Sequence, residues 1–331
     1  MIHLPDLSRA LLRYREPNLL RALFEVGVTI APLAILWLLM WLSLDVGYWL
    51  TLLLAVPTAG FMVRLFIIQH DCGHGAFFHH RAANTWLGRV LGVLTLTPYD
   101  YWKRNHAIHH ATSNNLDRRG IGDIDTLTVD EYRQKSLWNR FLYRCYRNAL
   151  VMFVIGPAYM FFLQHRLPFH QWRDGWGPWI STMATNAAIA ASIAAMIWLV
   201  GLGPFLLVHL PVMLLAASMG VWLFYVQHQF EDVAWSRDCS WAHQDSALLG
   251  SSYYDLPALL HWITGNIGIH HIHHLNSRIP YYRLPKVLRD YPELKTVGRL
   301  TILESIRTAR LALWCEQQKK MIPFKGALSQ Q

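Results

Sequence analysis

Residues 47–74 read GYWLTLLLAVPTAGFMVRLFIIQHDCGH, an apolar run that delivers two histidines, His70 and His74. The run Gly47–Gln69 is close to the ~20 residues a helix needs to cross the hydrocarbon core of a bilayer. Side chains four apart on a helix share a face, so both imidazoles aim one way where the span would exit. Three more runs have comparable length: Val26–Leu44, Trp179–Val200 and Pro204–Gln227. Pro32, Pro57 and Pro211 fall inside these runs, which membrane helices tolerate when neighbours re-satisfy the freed backbone groups. Of the 331 residues, 53% are hydrophobic and only 15% charged, against roughly 25% charged in a soluble domain.

The formal charge of +9 is placed for a membrane and not for nucleic acid. All 30 Lys and Arg lie outside the short loops near Asp45 and Gly201–Gly203, and essentially every basic residue falls on one side, the cytoplasmic one. Arg9, Arg13, Arg15, Arg21 and the C-terminal basic stretch are then expected to face anionic lipid head groups. Two shorter apolar stretches, Trp86–Pro98 and Ala149–Leu163, fall short of a comfortable span. If Ala149–Leu163 crossed alone, the last histidine cluster would land opposite the first two, so it is expected to be interfacial or re-entrant. No cleavable signal peptide is expected in the first 24 residues. Cys72, Cys145, Cys239 and Cys315 form no C-x-x-C pair and read as free thiols.

The second stretch that carries chemistry is His106-Ala-Ile-His109-His110, and the third is His270-His-Ile-His273-His274. Both are H-x2-H-H, and a single His228 stands at the end of the fourth apolar run. Neutral imidazole suits iron, zinc, copper and nickel, and nine nitrogens are too many for one ion and about right for two. The Glu-x-x-His pairs of ferritin-like bundles are missing, and no cysteine clusters with the histidines except Cys72, which would point off their face. The expected fold is therefore an all-α integral membrane protein: four transmembrane helices in two hairpins, with a cytosolic helical cap holding a di-metal centre. Residues 1–25 form a basic amphipathic N-terminal segment, 26–290 the membrane domain and 291–331 a C-terminal tail.

The other histidines read more plainly. His3, His165, His170, His209, His243 and His261 are expected in packing or surface roles, His79 and His80 on the surface, and His271 facing away from its neighbours. Metal-bound imidazoles usually donate their second N–H, and Asp71, Asp123, Asp125, Glu231 and Asp232 are candidate acceptors. A metal transporter would place ionisable groups at mid-membrane, where these spans offer only His209.

The three clusters, quoted as HDCGH, HAIHHATS and GIHHIHHL, resemble the histidine boxes of membrane-bound fatty acid desaturases. LDRRGIGD at 116–123, FYVQHQFED at 224–232 and LNSRIPYYRL at 275–284 are similar to bacterial acyl-lipid desaturases. The resemblance covers about residues 60–290. It implies two iron ions (Fe2+/Fe3+) held by His70, His74, His106, His109, His110, His228, His270, His273 and His274. It implies O2-dependent insertion of a double bond into a long acyl chain, with hydroxylation of an alkane, carotenoid or lipid as the alternative. Stearoyl-type relatives place an Asn four residues before the His228 equivalent; here Phe224 stands there, and Asn266 is a substitute candidate. The substrate is expected to be an acyl lipid in the inner membrane, with the metal centre on the cytoplasmic side. Because no His-Pro-Gly-Gly signature is visible, the electrons must come from a separate carrier such as ferredoxin.

Overall fold

A computed structural model describes residues 4–169 and 171–328, so His3 and His170 lie outside the described residues. Four helices are long and apolar enough to cross a membrane: Leu19–Ser43, Tyr48–His74, Trp176–Val200 and Leu202–His228. The first starts earlier than its apolar run because Asn18 caps it, accepting the Arg21 N–H at 2.8 Å. The second is the central one, with 61% of its apolar window buried against 6% for the third. The first and fourth spans pack on the second, and the third lies outermost.

The second span stays helical through its last histidine and stops at Gly75, which adopts a left-handed φ of 64°. Gly75 N–H donates to Cys72 O and Ala76 N–H to Asp71 O, satisfying the last carbonyls. Helices Arg81–Leu94 and Tyr99–Thr112 then run across the base of the spans. Their close approach needs Gly88, where a Cβ would stand 2.2 Å from the Tyr99 ring. Helix Leu137–Tyr146 and the helical stretch Val151–Arg166 form a pair bent by 59°. His110 and His273 converge in one cluster, which requires an even number of crossings between them. The third and fourth candidate spans would supply both, and a crossing by the bent pair would make the number odd.

Arg64 corrects the expectation that essentially every basic residue falls on the cytoplasmic side and that His209 is the only ionisable group the spans offer near mid-membrane. It sits inside the second span, 1% exposed, paired with Glu25 of the first span. Its Nε donates to Thr29 Oγ1 at 3.1 Å, its Nη1 to the Trp262 carbonyl, and its guanidinium lies 4.3 Å from the Trp262 ring. Tyr281 OH completes the cluster by donating to Glu25 Oε2 at 2.9 Å. A buried charge is tolerated here because every partner it needs is supplied.

The cap is mostly helix with two small sheets. Strand β1 (Leu127–Thr128) runs parallel to β4 (Leu313–Cys315), which is antiparallel to β5 (Lys320–Ile322). Strand β2 (Tyr253–Asp255) runs parallel to β3 (Arg299–Thr301). The stretch after residue 290 is thus built into the cap, with Leu313 and Cys315 buried against Tyr132 and Tyr143. The N-terminal segment is docked as well: Leu7, Leu11 and Tyr14 are buried, and Arg15 Nε donates to Asn276 Oδ1 at 2.8 Å. Arg13 binds the hydroxyls of Tyr14 and Tyr291, and Arg21 pairs with Glu25, so these three arginines have protein partners.

Candidate metal centre

The histidines meet at the ends of the second and fourth spans, on helices Tyr99–Thr112 and His270–Leu275. They form two groups: His70, His74, His106, His110 and His273 in one, and His109, His228 and His274 in the other. Within each group one ring nitrogen per residue lies within 4.8 Å of all the others. His270 joins the second group through its Nε2, 3.0 Å from His228 Nε2. Consecutive residues on a helix point about 100° apart, so each H-H pair straddles both groups. His109 and His110 part company in this way, as do His273 and His274.

The first group is a chain of Nε2···Nε2 approaches: His70 to His74 at 3.3 Å, His74 to His106 at 3.0 Å, His106 to His110 at 3.1 Å and His110 to His273 at 3.2 Å. Neighbouring nitrogens bound at ~2.1 Å to one ion stand about 3 Å apart, so this spacing fits the edges of a coordination shell. Asp71 Oδ1 stands 3.3 Å from His70 Nδ1, Asp123 Oδ1 2.5 Å from His109 Nδ1, and the Gly250 carbonyl 3.3 Å from His228 Nδ1. A carboxylate or carbonyl accepts only, so each of these rings carries its proton on Nδ1 and bares an Nε2 lone pair. His109 and His228 then face each other lone pair to lone pair at 3.2 Å. That arrangement is repulsive until a cation stands between them. Nε2 of His274 is buried with no hydrogen-bond partner among the described residues, another donor awaiting an ion.

Electrostatics favours the neutral form of five of the donors. Burial pushes His106, His110, His270, His273 and His274 well below the usual histidine range, and neighbouring imidazoles push them the same way. Trp102 roofs the first group, its ring stacked 4.7 Å from His106. Phe224 packs 5.2 Å from the His109 ring and 5.1 Å from His228.

Of the candidate acceptors, Asp71 and Asp123 meet histidines, whereas Asp125, Glu231 and Asp232 are exposed. Glu231 faces Lys320 at 3.4 Å, and Asn266 occupies a left-handed turn with φ 53° and no side-chain hydrogen bond to a histidine among the described residues. The Gly250 carbonyl and Trp102 carried no signal in the sequence, since any residue presents a carbonyl. His271 bonds the Leu294 carbonyl at 3.0 Å and stays outside both groups. His79 and His80 are exposed, and His209 packs between Trp37 and Phe205. The four cysteines are free.

A helical bundle with four candidate membrane spans and a double histidine cluster that could hold metal at one end defines a class of membrane enzyme. Residues 47–300 match the family described as fatty acid desaturase, and the chain belongs to that family of oxidoreductases. It is similar to a fatty acid desaturase of Bacillus subtilis (strain 168), 44% identical over 321 residues, which cover 97% of this chain and 91% of the relative. It is 28% identical over 234 residues to an sn-1 acyl-lipid omega-3 desaturase (ferredoxin) of Synechocystis sp., covering 66% of this chain and 61% of the relative. An sn-1 oleoyl-lipid 12-desaturase of Anabaena variabilis is 23% identical over 270 residues, 73% of this chain and 69% of the relative.

Proposed function

We propose that this protein uses O2 to insert a double bond into a long acyl chain, esterified in a membrane lipid, at a pair of histidine-held iron ions. The observation that carries this reading is the double cluster of imidazoles, most of them buried, where the second and fourth spans end. His70, His74, His106, His110 and His273 would hold one ion, and His109, His228, His270 and His274 the other. Iron bound there supplies O2 activation and the redox capacity to remove two hydrogens from adjacent methylenes.

The residues of the chain do the rest. Asp71, Asp123 and the Gly250 carbonyl hold Nδ1 protons and so fix the direction of three ring nitrogens. Burial excludes water from a site whose chemistry water would quench. The overall reaction consumes O2, two electrons and two protons and yields two waters with the new double bond. The electrons come from a separate small carrier; the word ferredoxin in the name of one relative supports that choice, and its acyl-lipid description supports an esterified substrate. The even number of crossings and the basic flanks support a cytoplasmic cap on an inner-membrane protein.

Expression in a bacterium lacking such an enzyme, followed by gas chromatography–mass spectrometry of its fatty acids, tests this. A new unsaturated acid that requires air and is lost in His106→Ala and His273→Ala is expected. New hydroxy acids would instead make the protein a hydroxylase, and no product from folded, iron-loaded protein with an electron donor would overturn the acyl-chain reading.

A further inference from the structure

The cap carries a second, purely cationic site away from the histidines. Arg144, Arg147, Arg310, Lys325, Asn148 and Phe324 line a pocket of about 400 Å3, and no acidic residue lines it. Three other cap arginines are paired: Arg118 with Asp238, Arg119 with Glu131, and Arg237 with Asp117 and Glu316. Among the described residues, none of the four pocket cations has a carboxylate partner. Arg147 is buried and braced by Gln229 Oε1 and the Leu311 carbonyl, each at 2.9 Å. Arg144 is braced by the Tyr132 hydroxyl at 2.7 Å and lies 5.5 Å from the Phe324 ring. Arg310 and Lys325 are exposed at the rim. Like charges gathered around one hollow repel until an anion enters it.

The position of the pocket identifies the anion. Arg144 belongs to helix Leu137–Tyr146, whose Leu137, Trp138, Phe141 and Leu142 are exposed, and Arg147–Ala149 form the bend that follows. Beyond the bend, Leu150, Val154, Ile155 and Tyr159 are also exposed. An apolar face of this kind lies in the membrane interface, which puts the bend and its pocket at head-group depth. We propose that the pocket binds the phosphate of an anionic phospholipid, whose acyl chains lie along the exposed apolar face. Gln229, which braces Arg147, follows His228 directly, so an occupied pocket would also steady the end of the fourth span.

This inference goes beyond the proposed activity and is tested by binding alone. Full-length detergent-solubilised protein would be titrated with dioctanoylphosphatidylglycerol, dioctanoylphosphatidylcholine or inorganic phosphate, with microscale thermophoresis as readout. The wild type should bind the glycerol lipid saturably and the choline lipid more weakly. Arg310→Gln with Lys325→Gln should weaken the glycerol lipid by roughly tenfold to thirtyfold and leave the choline lipid unchanged. Arg289→Gln with Lys295→Gln, which removes the same charge elsewhere, should bind as wild type. Lys325→Gln alone, at an exposed position, should show a smaller loss of the same kind if the double variant fails to fold. Equal binding of the two lipids by the wild type, or unchanged lipid binding by the pocket variants, would overturn the proposal. So would displacement of the lipid by equimolar phosphate.

Discussion

The Tyr281 N–H donates to Asp71 Oδ2 at 2.7 Å, while Oδ1 of the same carboxylate stands 3.3 Å from His70 Nδ1. Asp71 thus ties the segment after the third histidine cluster to a ring in the first. Asp71→Asn should cost about tenfold to a hundredfold in iron affinity, because a neutral amide orients the imidazole less firmly. The asparagine can still accept from Tyr281, so the fold should persist. Iron retention against a competing chelator is the measurement, and unchanged retention would remove Asp71 from the site.

Glu25 and Arg64 are each 1% exposed and face each other between the first two spans. Removing one partner leaves a buried charge alone, so Glu25→Ala should cost about 3–5 kcal/mol of stability. Adding Arg64→Met should recover most of that loss, because the orphaned charge goes too. Thermal unfolding in detergent of the two single variants and the pair decides it; a double variant no better than Glu25→Ala would refute the account.

His271 and His273 stand two residues apart with different surroundings. His273→Ala should lower bound iron and abolish desaturation. His271→Ala should keep the iron and lose about 1–3 kcal/mol of stability, since it removes a buried ring and its hydrogen bond to the Leu294 carbonyl, which keeps only the Val297 N–H at 3.3 Å. Iron content of the purified proteins separates them, and equal iron loss in both would place His271 among the ligands.

Metal-free protein should lose stability as pH falls. His106, His110, His270, His273 and His274 are held well below the usual range, mainly by burial, so the folded state resists protons that the unfolded chain accepts near pH 6.5. The unfolded state binds more protons below that pH. Stability should therefore be level above about pH 6.5 and decline steadily beneath it. Thermal midpoints of the apo protein between pH 8 and 5 test the sign; a flat or rising profile on acidification would contradict it.

Local pattern was enough for the four helices and for the shared face of the histidines four apart, His70 with His74, His106 with His110 and His270 with His274. Run length reports a span, and spacing of four reports a helical face, without reference to the rest of the chain. Relations across the fold left no such trace. His109 and His110 are neighbours in sequence yet belong to different groups, because the partners that divide them, His228 and His273, arrive from distant segments. Asp123 meets a histidine while Asp125 is exposed, a choice made by the path of one loop. The ion pair that holds Arg64 inside a span was not legible either, because its partner Glu25 lies 39 residues away on another helix. In sequence the residues after 290 read as a tail, because strands of three residues have too few positions to show alternation. Their place in the cap depends on pairing with Leu127 and Thr128, a contact that exists only once the chain has folded.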